Sequence, residues 1–159
     1  MSSFFLQVFF LLTSTAQAYE RIDFRQKYVW TYKPTIVICS DSDVSIEIVQ
    51  EALDFWKPFL FPYNEKIIRK KCYGNFYAGE IRIAGQRDLN TTEFYALTEL
   101  DVNGFAMESA IIKFEKGTTD NLELLIHELG HGLGVWHSDE SDESHIMHTH
   151  VVENPTRLK

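Results

Sequence analysis

The chain has 159 residues and a formal net charge of −8, with 45% of its residues hydrophobic and 14% aromatic. That length fits one compact domain with a core of its own, and the aromatic content argues against a disordered chain. The acidic balance makes nucleic acid and anionic membranes poor partners, and no apolar run approaches the roughly 18 residues that would suggest a multi-pass membrane protein.

The first eighteen residues have the features of a secretory signal peptide. Residues 4–12 (FFLQVFFLL) are almost wholly apolar, and residues 13–18 (TSTAQA) end in the small-x-small pattern of a signal peptidase site. We expect cleavage before Tyr19, a single domain over residues 19–159, a secreted or periplasmic location, and no stable membrane insertion afterwards. Because no basic residue precedes the apolar run, a hydrophobic first strand and an uncleaved anchor remain alternatives.

Two cysteines, Cys39 and Cys72, are too few for a thiolate zinc cage or a disulfide-dense scaffold. In the oxidising compartment that export implies, they can pair with each other. Such a bridge would close a loop of about 33 residues and contribute on the order of 3–4 kcal/mol. We favour this disulfide over two free thiols, although the sequence does not give the distance between the two Cα atoms.

The first half of the chain predicts a strand followed by a helix. Residues 35–39 (TIVIC) are β-branched and apolar, which favours a buried strand. Residues 41–43 (DSD) offer N-caps for a helix, and Pro58 ends or kinks it. The apolar residues between them recur at helical spacing: Ile48, Val49, Ala52, Leu53, Phe55 and Trp56.

Two more strands and a turn follow. Residues 80–84 (EIRIA) alternate in polarity, which places Ile81 and Ile83 on one face of a strand. Asn103-Gly104 indicates a turn. Residues 110–114 (AIIKF) favour another strand.

A second helix is predicted near the C-terminal end. Asp120 is the expected N-cap, with Glu123 as its capping-box partner, and Gly134 is placed where a left-handed residue would end the helix. Its apolar face consists of Leu122, Leu125, Ile126, Leu129 and Leu133. The order of strand, helix, strands, helix and short coil predicts an α/β fold, with a small mixed sheet and two main helices.

Three of the six histidines form one pattern, HELGHGLGVWH, at residues 127–137. His127 and His131 are four residues apart, so on a helix their imidazoles lie on one face and can bind one ion. Gly134 can adopt the positive φ of a sharp turn, which would bring His137 back towards the same point. Three imidazoles with an open fourth position are typical of a catalytic Zn²⁺ site.

Glu128 directly follows the first histidine, so on a helix it is angled away from the ligand axis but can reach a water on the metal. Zinc lowers the pKa of such a water to about 7. A neighbouring carboxylate can take the proton and pass it to a leaving amine. This arrangement predicts metal-assisted hydrolysis of an amide without a covalent intermediate.

The extended histidine pattern resembles that of the metzincin clan of zinc endopeptidases. The clan's pattern matches the three histidines as ligands, Glu128 as the catalytic residue and a glycine at Gly134. Met147, ten residues after His137, is in the place of the methionine that makes a tight turn beneath the zinc in this clan. The resemblance implies that its polarizable side chain packs under the imidazoles.

Within the clan the chain is most similar to the matrixins. Ser138 follows the third histidine as in that family, and residues 52–56 (ALDFW) and 80–83 (EIRI) resemble its first helix and the strand after it. The resemblance implies an edge strand at Gly104, Phe105 and Ala106 that lines the cleft and binds an extended peptide through main-chain hydrogen bonds.

Two of the chain's departures from the family pattern concern groups that could reach the metal. Residues 19–33 contain no cysteine, so latency through a thiolate on the zinc is not expected. Thr149 stands two residues after Met147, where astacin-like and serralysin-like members carry a tyrosine, so that additional ligand or oxyanion donor is absent from this position.

The sequence therefore predicts a secreted, monomeric zinc endopeptidase of matrixin-like type, with a metzincin-like fold that ends in a short coil carrying the methionine turn. Its partner would be a peptide or protein substrate. Two alternatives remain open: an inactive homologue that binds zinc and acts as a binding module, and a zinc hydrolase that acts on a non-peptide amide, such as one in a cell-wall polymer.

Overall fold

A computed structural model describes residues 24–59, 64–85, 95–115, 117–138 and 145–148, without the side chains of residues 64 and 65. The predicted signal segment and Thr149 lie outside the described residues. Six strands and two helices follow one another along the chain: β1 Val29–Trp30, β2 Thr35–Cys39, α1 Ile46–Trp56, β3 Asn64–Lys70, β4 Glu80–Ile83, β5 Ala96–Asn103, β6 Ala106–Phe114 and α2 Leu122–Gly132. The predicted order of elements is confirmed, and β1, β3 and β5 are additions to it.

The six strands form one mixed sheet in the order β1-β6-β4-β2-β3, and β5 pairs with β6. All neighbours along that path are parallel, whereas β5 and β6 form an antiparallel hairpin. The central position of β2, between β3 and β4, explains its uninterrupted apolar sequence, because a parallel strand in the middle of a sheet is covered on both faces. The predicted α/β class with a mixed sheet and two helices is confirmed.

The polar residues of β4 belong to a second, charged face. Ile81 and Ile83 are fully buried in the core, as their alternation predicts. Glu80 and Arg82 are buried as well, and the Nε atom of Arg82 lies 2.9 Å from a carboxylate oxygen of Glu80. Pairing of these opposite charges makes their burial tolerable.

Helix α1 packs against α2 through Trp56, which is fully buried and donates a hydrogen bond from its Nε1 atom to the main-chain oxygen of Ile126 at 2.8 Å. The predicted N-caps at residues 41–43 are wrong. Ser45 caps the helix by accepting from the amide of Ile48, whereas the main-chain oxygen of Ser42 is occupied by the guanidinium of Arg69.

Helix α2 begins one residue later than expected. Asn121 is the N-cap, and its side chain accepts a hydrogen bond from the amide of Leu124 at 3.0 Å. The predicted capping box of Asp120 with Glu123 is therefore wrong. The amide of Asn121 is itself bonded to the oxygen of Thr118, and this turn sets the point at which the helix begins.

The predicted disulfide between Cys39 and Cys72 is present, with the two Cα atoms 5.3 Å apart. It ties the end of β2 to the segment that follows β3. Across the described part of the chain, no helix combines the length and the apolar character needed to cross a membrane.

Candidate metal centre

Helix α2 presents two of the predicted ligands from successive turns. His127 is fully buried and His131 is partly exposed. Their Nε2 atoms are 3.1 Å apart, as expected for side chains four residues apart on one helical face.

The turn after α2 brings the third histidine to the same point. The amide of Val135 bonds to the oxygen of Gly130, and the amide of Gly134 bonds to the oxygen of His131, both at 2.9 Å. These two bonds are those of a Schellman motif, which requires a left-handed residue, and Gly134 has a φ of 99°. The chain reverses direction here, and the Nε2 atom of His137 comes within 3.1 Å of that of His131.

The N-terminal segment (residues 24–30) holds this turn in place. The amides of Lys27 and Tyr28 both donate to the oxygen of Gly134, and the amide of Trp136 donates to the oxygen of Arg25. A Cβ atom at Gly134 would lie 2.2 Å from the oxygen of Tyr28, so only glycine allows the segment to approach this closely.

The hydrogen bonds of the outer ring nitrogens fix which nitrogens face one another. The Nδ1 atom of His127 lies 2.7 Å from the oxygen of Ile146, and that of His131 lies 2.9 Å from the oxygen of Val135. A carbonyl oxygen only accepts, so both Nδ1 atoms carry protons. When these two rings are neutral, each Nε2 atom has a lone pair and no proton. The Nε2 atoms of His127 and His131 therefore cannot form a hydrogen bond with each other.

Lone pairs that converge in this way fit a cation. Together, His127, His131 and His137 offer three ring nitrogens that lie within 4.8 Å of one another. Bonds of about 2.0–2.1 Å at tetrahedral angles would separate such nitrogens by about 3.3 Å, close to the spacing observed. Three histidines can therefore hold a metal ion here.

Burial keeps the ligands neutral, which metal binding requires. It lowers the pKa of His127 to about 3, and the neighbouring His131 contributes to this shift. Burial also lowers the pKa of His131 to about 4 and reduces that of His137.

Met147 lies in a tight turn at residues 145–148, in which the amide of His148 bonds to the oxygen of His145 at 2.8 Å. Its side chain is fully buried, and a Cβ atom on Gly130 would come within 2.7 Å of its sulfur. The neighbouring oxygen of Ile146 is the one that orients His127. This turn therefore supports the histidine cluster by packing and by one hydrogen bond.

Glu128 is almost fully buried beside the histidines, and burial raises the pKa of its carboxyl to about 7. It lines an open cleft of about 190 Å³, several times the roughly 30 Å³ that one water occupies. The rest of the lining comes from β5 and the ligand region: Ala96, Leu97, Thr98, Leu100, His131, Trp136 and His137. A carboxylate, three ring nitrogens that could hold a metal ion, and an open cleft thus lie at one site.

The predicted peptide-binding residues Gly104, Phe105 and Ala106 are not among the described residues that line this cleft. Gly104 and Phe105 form the turn of the β5–β6 hairpin, where Phe105 is 80% exposed, and Ala106 begins β6. The strand that lines the cleft is β5, which the sequence analysis did not identify. The alternation of residues 100–103 (LDVN) directly before Gly104 was the available signal, since an alternating run that ends at a glycine turn favours a hairpin strand.

Trp136 and Thr98 are the other cleft residues that sequence reasoning missed. Trp136 lines the cleft, with its ring centroid 5.8 Å from that of His131 and the Nζ atom of Lys27 over its ring. The hydroxyl of Thr98 donates a hydrogen bond to the carboxylate of Glu128. No local pattern indicates this last contact, because it joins residues thirty positions apart.

No protein-family model matches this sequence, and a comparison with curated proteins gives no significant match. The resemblance to zinc endopeptidases therefore rests on the sequence pattern at residues 127–137 and Met147.

Proposed function

We propose that the protein is a zinc-dependent endopeptidase with a metzincin-like, matrixin-like catalytic domain. The observation that carries this proposal is the convergence of three histidine ring nitrogens beside a buried carboxylate at an open cleft. Three histidines with a free coordination position are the donor set of catalytic zinc sites.

The chemistry follows from the roles that these residues can take. Zinc, when bound, acidifies a coordinated water and polarises the scissile carbonyl. Glu128 takes a proton from the attacking water as the new carbon–oxygen bond forms. It then delivers that proton to the amide nitrogen as the carbon–nitrogen bond breaks, so the products are a carboxylic acid and an amine.

The position of β5 supports a peptide as the substrate. Within the described residues, β5 pairs only with β6, which leaves the main-chain groups of its other edge available. The part of this strand that lines the cleft lies next to Glu128 and the histidines. An extended peptide that added to this edge would cross the metal centre.

The disulfide supports export. Bonds of this kind persist in oxidising compartments and are rare in the cytosol. We therefore propose that the mature enzyme acts outside the cytoplasm, on the far side of the membrane from its synthesis.

The test compares the wild type with Glu128→Gln for zinc content and for digestion of denatured casein. We expect one zinc per chain in both proteins, chelator-sensitive cleavage by the wild type, and a loss of activity on the order of 10²–10⁴-fold in the variant, since its amide is not a base. Glu123→Gln is the matched control, because it makes the same change in the first turn of the same helix.

Each other outcome has a distinct meaning. A wild type that binds zinc but cleaves neither casein nor cell-wall fragments would be a binding module. Cleavage of the cell-wall fragments alone would indicate a non-peptide amide as the substrate. If the purified protein held no stoichiometric transition metal, the proposal would be refuted.

A further inference from the structure

Thr98 is a polar residue on the part of β5 that faces the cleft. Ala96, Thr98 and Leu100 alternate along the strand and all line the cleft, and the two flanking residues are apolar. The Thr98 hydroxyl lies within hydrogen-bonding distance of two atoms of Glu128: the carboxylate oxygen Oε2, and the main-chain oxygen at 3.1 Å.

In the ionised form of Glu128, which is the form that acts as a base, the carboxylate is the stronger acceptor of the two. A hydroxyl has one proton to donate, and bonds to an ionised carboxylate are shorter and stronger than those to a neutral carbonyl. Thr98 therefore directs its proton to the side chain of Glu128.

This bond restricts a side chain that would otherwise rotate. The ends of glutamate side chains have broad torsional preferences, and Glu128 is 2% exposed, so bulk water has little access to orient it. Thr98 is anchored in the hairpin, where it pairs with Ile112 of β6. With Oε2 engaged by the hydroxyl, Oε1 is the oxygen that remains to exchange a proton with substrate or water.

We propose that Thr98 is a positioning residue, which holds the carboxylate of Glu128 in its working orientation through a hydrogen bond from its hydroxyl. This inference rests on the proposed function for its effect on turnover. The hydrogen bond itself can be tested independently of any activity.

The experiment uses two variants of the full exported chain. Thr98→Val keeps the branched shape and removes the hydroxyl, whereas Thr98→Ser keeps the hydroxyl and removes a methyl group. We expect the kcat of Thr98→Val for peptide cleavage to fall about 10- to 100-fold, as is typical when a supporting hydrogen bond is lost. KM and zinc content should stay within about twofold, and Thr98→Ser should recover most of the lost rate.

Crystal structures of the metal-free variants give a second measurement that needs no activity. The Glu128 carboxylate should leave its position in Thr98→Val and keep it in Thr98→Ser. The proposal is overturned if the carboxylate is unmoved in Thr98→Val, if kcat is unchanged, or if Thr98→Ser is as impaired as Thr98→Val. A wild type without peptidase activity refutes the proposed function instead, and the crystal structures still decide the role of Thr98.

Discussion

Gly130 is the position where the packing beneath the metal centre can be tested most directly. A Cβ atom there would lie 2.6 Å from Cζ2 of Trp56 and 2.7 Å from the sulfur of Met147. Favourable contacts of carbon atoms occur at about 3.5–4.0 Å. Gly130→Ala therefore demands a shift of nearly 1 Å from two fully buried side chains.

The expected cost follows from two opposing terms. Alanine is favoured over glycine inside a helix by about 1 kcal/mol, whereas overpacking a core costs about 1–3 kcal/mol. The overpacking cost should lie at the upper end of that range, because Trp56 is held by its hydrogen bond to Ile126 and cannot move freely. We expect Gly130→Ala to lower the free energy of unfolding by about 2 kcal/mol.

Urea unfolding of the metal-free protein measures this change, and Gly132→Ala is the matched control. A Cβ atom on Gly132 would lie 3.2 Å from Cγ2 of Ile81, the end of a side chain that can give by a few tenths of an ångström. This control should be about as stable as the wild type. If Gly130→Ala were as stable as Gly132→Ala, the inferred packing of Trp56 and Met147 against this glycine would be refuted.

Two further predictions concern the disulfide and acid. Replacing Cys39 and Cys72 together by serine should lower the free energy of unfolding by about 3–4 kcal/mol, the value for a loop of about 33 residues; an unchanged urea midpoint would contradict this. In the metal-free protein, the lowered pKa values of His127 and His131 mean that the unfolded chain takes up protons first, so stability should fall as the pH drops from about 6.5 towards 4. Glu128, whose pKa burial raises to about 7, opposes that trend because its folded form gains a proton first, so Glu128→Gln should steepen the fall seen in unfolding curves at successive pH values.

The histidine cluster could be predicted because the relations among its three members are local. One helical turn separates His127 from His131, and a left-handed glycine within the next turn redirects the chain to His137. These features depend on backbone geometry over eleven residues, which the sequence specifies almost alone. The strand at residues 35–39 could be predicted equally well, because a strand that is buried on both faces has an unbroken apolar sequence.

The helix N-caps show where local prediction loses precision. Several candidate residues stand before each helix, and neighbouring contacts decide among them. Arg69 donates a hydrogen bond to the main-chain oxygen of Ser42 and so holds the backbone that leads into α1. Ser45 is then the residue that caps the helix. Competition of this kind between adjacent polar residues is not visible in the sequence.

The amino-acid sequence by itself determined the histidine cluster, the position of Glu128 next to it, and the cysteine pair. The tertiary structure decided which residues lie across the cleft from the histidines and Glu128. It placed β5 along the cleft, and it brought Thr98 to the carboxylate of Glu128. The physical reason is that a contact between residues thirty positions apart depends on the register of the hairpin that packs against α2. That register is set by burial of the whole core.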